Sequence, residues 1–193
     1  MRNMESRDIT SMGDEGRTDL LFCEKGDEIR VFKSHRMIIL GGKADTLNAA
    51  LGLTHEWLWG QMAIGRRDDE YDIKMKVIWI QQRLSSSRVE FLCNRPRALR
   101  NQSGFSLIGA KDVARLDSWA SELERSLEEM GHGPENFRHY GFGGALPAHL
   151  DYAGCLCREI ETMIVNERNV LLQFFNRLSD VLFLLARIKQ NSD

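Results

Sequence analysis

From Lys43 onward, apolar residues recur at helical spacing through most of the chain. Leu47, Leu51, Leu58 and Met62 fall at intervals of four, seven and four, the stripe of one buried helix face, with Asp45 placed to serve the first turn. Ile73, Val77, Ile80 and Leu84 repeat at four, three and four, behind Asp68, Asp69 and Glu70, whose charges suit a helix N-terminus. Ser85, Ser86 and Ser87 predict a bend before Val89, Leu92 and Cys93 resume the pattern. A third helix carries Val113, Leu116, Trp119, Leu123 and Leu127, and Gly131 to Gly133 stop it. Pro147 suits the first turn of a fourth, with the stripe Leu150, Ala153, Cys157, Ile160 and Ile164. The fifth runs from about Val170 to Ile188 on Leu171, Phe174, Leu178, Val181, Leu182 and Leu185. Residues 1–42 are the least periodic, with two short apolar runs, Leu20–Cys23 and Met37–Leu40, that read as short strands or extended packing segments. The pattern predicts an all-α, five-helix bundle over 43–190, in a single domain 1–193 with an irregular N-terminal segment.

Composition narrows the function classes. A chain of 193 residues, 42% hydrophobic and 28% charged, has the balance of one globular domain. Its 26 cationic and 28 acidic side chains give a net charge of −2, against a general nucleic-acid binder, which needs a surplus of cations. The longest apolar run, Val181–Ala186, is far short of the ~20 residues that cross a bilayer. Cys23, Cys93, Cys155 and Cys157 are too few and scattered for a disulfide framework. Cys155 and Cys157 stand two apart, pointing to different faces of a helix, and so cannot hold one ion together. The first residues lack the apolar stretch of a secretory signal, so a cytoplasmic chain is expected. Gly41–Gly42–Lys43 is not a phosphate loop, because Ala44 follows the lysine. The five histidines show no zinc spacing, and no metal site is predicted.

Polar groups on the last two helices carry more information. Asn176, Arg177 and Asp180 lie within about one turn, embedded in the apolar run LLQFFNRLSDVLFLLAR. Arg158 and Glu161 share a face of the fourth helix at i, i+3. Surface salt bridges would account for the spacing alone. Polar groups set that deep in an apolar helix must face a partner helix, a neighbouring subunit or a ligand.

The segment Phe175–Arg187, FNRLSDVLFLLAR, resembles the C-terminal helix of the PduO-type ATP:cob(I)alamin adenosyltransferases, LNRLSDLLFVLAR. Other stretches agree in order. Gly42–Leu53, GKADTLNAALGL, is similar to GTVDELNSALGL, and Thr10–Leu20, TSMGDEGRTDL, to TRTGDKGTTSL. Val77–Leu84 fits L-x-x-I-Q-x-x-L, and Leu150–Glu161 follows LHxARTVCRRAE with Cys157, Arg158 and Glu161 in register. The resemblance covers nearly the whole chain. It implies a trimer with active sites between subunits, and transfer of the 5′-deoxyadenosyl group of ATP to cob(I)alamin with release of triphosphate. It implies ATP, Mg²⁺ and cobalamin as ligands, and a reductase or cobalamin-dependent enzyme as a possible partner. Gly13, Asp14, Gly16 and Thr18 would belong to an ATP loop; Arg158, Glu161 and Asn176 would surround the nucleotide. Asp45 and Asp180 would lie toward the corrinoid and the neighbouring subunit, making Arg158, Asp45 and Asp180 the expected catalytic set. An aromatic before the fourth helix normally blocks the lower axial site of the corrinoid, and Phe137, Tyr140 and Phe142 are the candidates.

Departures from the family pattern concentrate at ligand-facing positions. Ser11, Met12 and Glu15 replace Arg, Thr and Lys in the ATP loop. Glu for Lys turns attraction for phosphate into repulsion, each up to about 4 kcal/mol at about 4 Å and an effective dielectric near 20. Gly154 replaces the arginine one turn before Arg158. In the family that arginine pairs with the aspartate matching Asp45, so Asp45 is expected to lack its usual partner. Thr46 replaces an acidic residue, and FILPGG has become HYGFGG at 139–144. The alternative reading is therefore a catalytically degenerate member that binds a corrinoid or nucleotide, or pairs structurally with an active relative.

Overall fold

The computed structural model describes residues 14–22, 27–63, 68–92, 107–132, 141, 143–167 and 170–190. Two strands, β1 (Arg17–Phe22) and β2 (Asp27–Phe32), form an antiparallel hairpin with Arg17 opposite Phe32. That cross-strand pair is a cation–π contact, the guanidinium 4.5 Å from the ring centroid. Among the described residues five α-helices follow: α1 (Arg36–Ala63), α2 (Asp68–Leu92), α3 (Ala110–Glu129), α4 (Ala145–Ile164) and α5 (Val170–Gln190). A single 3₁₀ turn, Val165–Glu167, reverses the chain between α4 and α5.

The expected bundle is present, and its core is the expected one. Leu47, Leu51 and Leu58 of α1 are buried with Ile73, Val77, Ile80 and Leu84 of α2. Leu116, Leu123 and Leu127 join them from α3, Leu150, Cys157, Ile160 and Ile164 from α4, and Phe174, Leu178, Val181, Leu182 and Leu185 from α5. α5 is central: it packs on both α4 and α3, while α1 packs on α2 and α4. Phe175, outside the expected stripe, is also fully buried, set edge-on to Phe174 with centroids 5.5 Å apart.

Three local expectations are corrected. Leu20–Phe22 is strand, one of the two readings offered for that run, but the segment 1–42 is more regular than expected: it holds a hairpin, and α1 begins at Arg36 rather than Lys43. Met37–Leu40 is thus helical, and the helix continues through Gly41 and Gly42 although each glycine costs about 1 kcal/mol relative to alanine. Packing decides here, since Leu40, Gly41 and Ala44 are all buried. Second, α2 runs unbroken through Ser85–Ser87, whose hydroxyls bond back to the carbonyls of Gln81, Gln82 and Leu84. Third, Asp45 does not open a helix but lies in the second half of α1's third turn.

α4 enters through glycines. Gly141, Gly143 and Gly144 have φ of 79°, 90° and 102°, a region L side chains rarely adopt. At Gly143 the requirement is double, because a Cβ there would lie 2.5 Å from Gln190 Cγ.

Candidate functional site

α4 and α5 run antiparallel along a shared seam. Lower on it, Asp151 and Arg187 form a fully buried ion pair. The other Asp151 oxygen accepts the Gly141 N–H at 2.8 Å, and the Arg187 guanidinium lies 4.7 Å from the Phe183 ring centroid. At mid-seam, Gly154 faces α5 near Leu182 and the Ser179 carbonyl. The Cys157 thiol donates to the Phe175 carbonyl at 3.1 Å. Burial, then the nearby Glu161 charge, pushes that thiol well above its usual range.

The upper seam gathers the expected polar residues. Asn176 Nδ2 donates to Glu161 Oε1 at 3.0 Å, joining α5 to α4. Arg158 Nη2 donates to Cys155 Sγ at 3.3 Å. Asp180 is raised above the usual carboxylate value, first by burial and then by Glu161, while Arg177 and Arg158 pull it back. Glu161 and Asn176 are thus joined directly, and Arg158 and Asp180 lie in the same charged neighbourhood.

Sequence reasoning gave no role to two members of this group. Arg177 Nε donates to Asp117 Oδ1 of α3 at 2.6 Å; its Nη1 donates to Asn176 Oδ1 at 3.1 Å and lies 3.7 Å from Asp180 Oδ2. Between α3 and α5 opens a cleft of about 380 Å³ lined by Asp117, Ser121, Glu124, Arg177, Asp180 and Phe183, among others. Arg177 is visible in the sequence as part of the Asn176–Asp180 polar turn, without a role of its own. Asp117, on another helix, gave no signal.

The remaining expected residues lie elsewhere. Asp45 is not left without a partner: Arg88 of α2 approaches both its carboxylate oxygens, at 2.8 and 2.9 Å. Asp14 and Gly16 lie in the turn that precedes β1 and Thr18 lies in β1, and no hydrogen bond or ion pair among the described residues links them to the α4–α5 group. Glu15, exposed, lies 3.7 Å from Arg30 across that hairpin. Gly13, Phe137, Tyr140 and Phe142 lie outside the described residues. No group of three or more His, Cys, Asp or Glu side chains capable of holding a metal occurs among the described residues. No helix there is long and apolar enough to cross a membrane.

The family model for cobalamin adenosyltransferases matches residues 9–189. The chain belongs to that family. It is 29% identical over 194 residues to a cobalamin adenosyltransferase of Cupriavidus metallidurans, covering 97% of this chain and 90% of that protein. It is 27% identical over 190 residues to the corrinoid adenosyltransferase PduO of Salmonella typhimurium, covering 94% of this chain but only 49% of the relative. Its fold is that of the Lactobacillus reuteri PduO-type ATP:corrinoid adenosyltransferase. A variant of that protein complexed with cobalamin and ATP superposes with a TM-score of 0.70 at 21% identity, over 94% of this chain and 89% of the other. A second variant, complexed with ATP, gives 0.67 at 20%, over 94% and 93%.

Proposed function

We propose that this cobalamin adenosyltransferase family member transfers the 5′-deoxyadenosyl group of ATP to cob(I)alamin. The observation that carries the reading is the Arg158–Glu161–Asn176–Asp180 group, kept intact on the α4–α5 seam. Cob(I)alamin, as substrate, supplies the electron pair that forms the cobalt–carbon bond, while the C5′–oxygen bond breaks and triphosphate leaves. Arg158 is assigned to neutralising the charge that gathers on that leaving group. Glu161 and Asn176 fix the nucleotide by hydrogen bonding, so that positioning rather than acid–base chemistry carries the rate. Asp45 and Asp180 are assigned to the corrinoid side. Gly13, Asp14, Gly16 and Thr18 are assigned to the triphosphate, and Phe142 to the lower corrinoid face.

Mg²⁺ would neutralise triphosphate charge when bound. It needs one or two carboxylates and otherwise takes phosphates and water, so the absence of a three-ligand cluster is no obstacle. Among the described residues no carboxylate cluster is built around an ion, so Mg²⁺ would be held chiefly by the phosphates and water.

A homotrimer is part of the proposal. The α3–α5 cleft of about 380 Å³ is at the low end of ligand pockets, about 300–1,000 Å³. A corrinoid with ATP needs more wall than one chain offers, and a neighbouring subunit supplies it. Light scattering should give three chains per particle; a monomer at micromolar concentration would remove the inter-subunit site. Cytoplasmic residence and a reductase partner suit a substrate that must arrive freshly reduced.

The deciding experiment mixes the full chain with ATP and chemically reduced cobalamin and follows the absorbance spectrum. Conversion to adenosylcobalamin is expected, and its absence with both ligands bound would favour the degenerate alternative. One observation speaks for that alternative: Glu15 puts an exposed carboxylate, associated with Arg30, where the family carries lysine. Glu15→Lys should tighten ATP binding at least several-fold, measured by calorimetry. No change would show that this turn does not touch phosphate.

A further inference from the structure

We infer that Arg177 is a positioning residue, the link through which Asp117 of α3 sets the orientation of the Asn176 carboxamide toward Glu161 of α4. The inference rests on the adenosyltransferase reading and adds to it two residues and a third helix.

The chemistry of the donors leaves one arrangement. A guanidinium only donates, and an ionised carboxylate only accepts. Asn176 lies between one of each: its Oδ1 accepts from Arg177 Nη1 at 3.1 Å, and its Nδ2 donates to Glu161 Oε1 at 3.0 Å. Rotating the amide by half a turn would set NH₂ against guanidinium and oxygen against carboxylate, so the orientation is fixed from both sides. Arg177 cannot turn away, because its Nε is bonded to Asp117 at 2.6 Å and Asp180 lies 3.7 Å from its Nη1. The result is a continuous relay from α3 through α5 to α4: Asp117, Arg177, Asn176, Glu161. Lysine at 177 would bring the charge without the planar fork and could not serve Asp117 and Asn176 together.

The site is held ready in this way before ligand arrives. Asn176 and Glu161 need not be ordered at the moment ATP binds, which would otherwise weaken the affinity. Removing Arg177 should therefore act through Asn176 and not beside it.

A double-mutant cycle on the full chain separates these possibilities. ATP affinity is measured by calorimetry for the natural protein, Arg177→Met, Asn176→Ala and the double variant, with thermal unfolding recorded for each. Arg177→Met should weaken ATP binding at least tenfold, Arg177→Lys nearly as much, and Asp117→Asn only a few-fold, because Asp180 still faces the guanidinium. The double variant should bind no more than about twofold worse than the weaker single variant. Losses that multiply, or an Arg177→Met variant within twofold of the natural protein, would overturn the relay. A second readout does not need ATP: the Asn176 side-chain NH₂ protons should exchange slowly in the natural protein and much faster in Arg177→Met. Equal exchange rates would also overturn it. If the natural chain binds no ATP at all, the functional reading fails on its own, and the exchange rates still decide the relay.

Discussion

The seam between α4 and α5 carries two polar constellations made from the same residue types and put to opposite uses. The lower one, Asp151 with Arg187, is sealed, with side-chain exposures of 3% and 0%. The upper one is half open: Arg177 is 45% exposed and Asp180 53%. Arg177 and Arg187 stand ten residues apart on α5, roughly 15 Å along the axis at about 1.5 Å per residue. In the sealed pair every charge faces protein: Asp151 answers Arg187 and the Gly141 N–H, and the guanidinium lies against Phe183. Such a pair specifies an arrangement, here the docking of the glycine strap ahead of α4 onto the end of α5. In the open group Arg177 and Asp180 line the α3–α5 cleft, open to solvent. Residue type does not separate a structural ion pair from the proposed binding group; access does.

The comparison is most easily broken at its lower end. Asp151→Ala leaves the Arg187 charge buried without its counter-ion and should cost about 3–5 kcal/mol of stability, a large share of the roughly 5–15 kcal/mol that holds a domain folded. Denaturant titration should show a matching drop in midpoint. A loss under about 1 kcal/mol would mean that water reaches the pair. Arg158→Ala at the upper end should behave inversely, costing about 1 kcal/mol or less while abolishing conversion of cob(I)alamin. Equal damage to stability at both sites would erase the distinction drawn here.

Gly154, between the two, sharpens it further. A Cβ there would meet Leu182 Cβ at 3.8 Å and the Ser179 carbonyl at 3.9 Å, ordinary contacts. Gly154→Ala should therefore stabilise α4 by up to about 1 kcal/mol and raise the unfolding temperature. A lower temperature would show that the helices need the closer approach. The smallest effect belongs to Asp180. Burial raises its carboxyl, so the folded chain holds that proton more tightly than the unfolded one. Stability then falls as pH rises from the usual carboxylate value, about 4, through the raised one. Asp180→Asn should unfold at a slightly higher temperature than the natural protein at neutral pH and at the same temperature below about pH 4. An advantage that grew on acidification would reverse the assignment.

Much of this was legible along the chain because periodicity reports burial directly. The stripes of α4 and α5 fall on buried positions, as do Leu116, Leu123 and Leu127 of α3 with Val113 and Trp119 half-buried beside them, and Gly131 lies just past α3 and Pro147 in the first turn of α4. The start of α1 was hidden by Gly41 and Gly42, whose local cost is overridden by contacts that no local pattern contains. The Asp45–Arg88 pair spans forty-three positions and Asp151–Arg187 thirty-six, so neither has a spacing signature. Arg158, Glu161, Asn176 and Asp180 were legible through the family resemblance and their apolar setting. Asp117 became visible only when α3 was laid against α5.

Cys155 and Cys157, two positions apart, are chemical opposites. Cys157 is enclosed, bonded to a carbonyl and held as the unreactive thiol, whereas Cys155 is exposed, with the Arg158 guanidinium on its sulfur. A thiol-directed fluorophore should therefore discriminate between them without mutation of either. With Cys23 and Cys93 replaced by serine, a dye on Cys155 would sit beside the arginine assigned to the nucleotide and report its arrival as a change in emission, giving the molecule a built-in optical gauge.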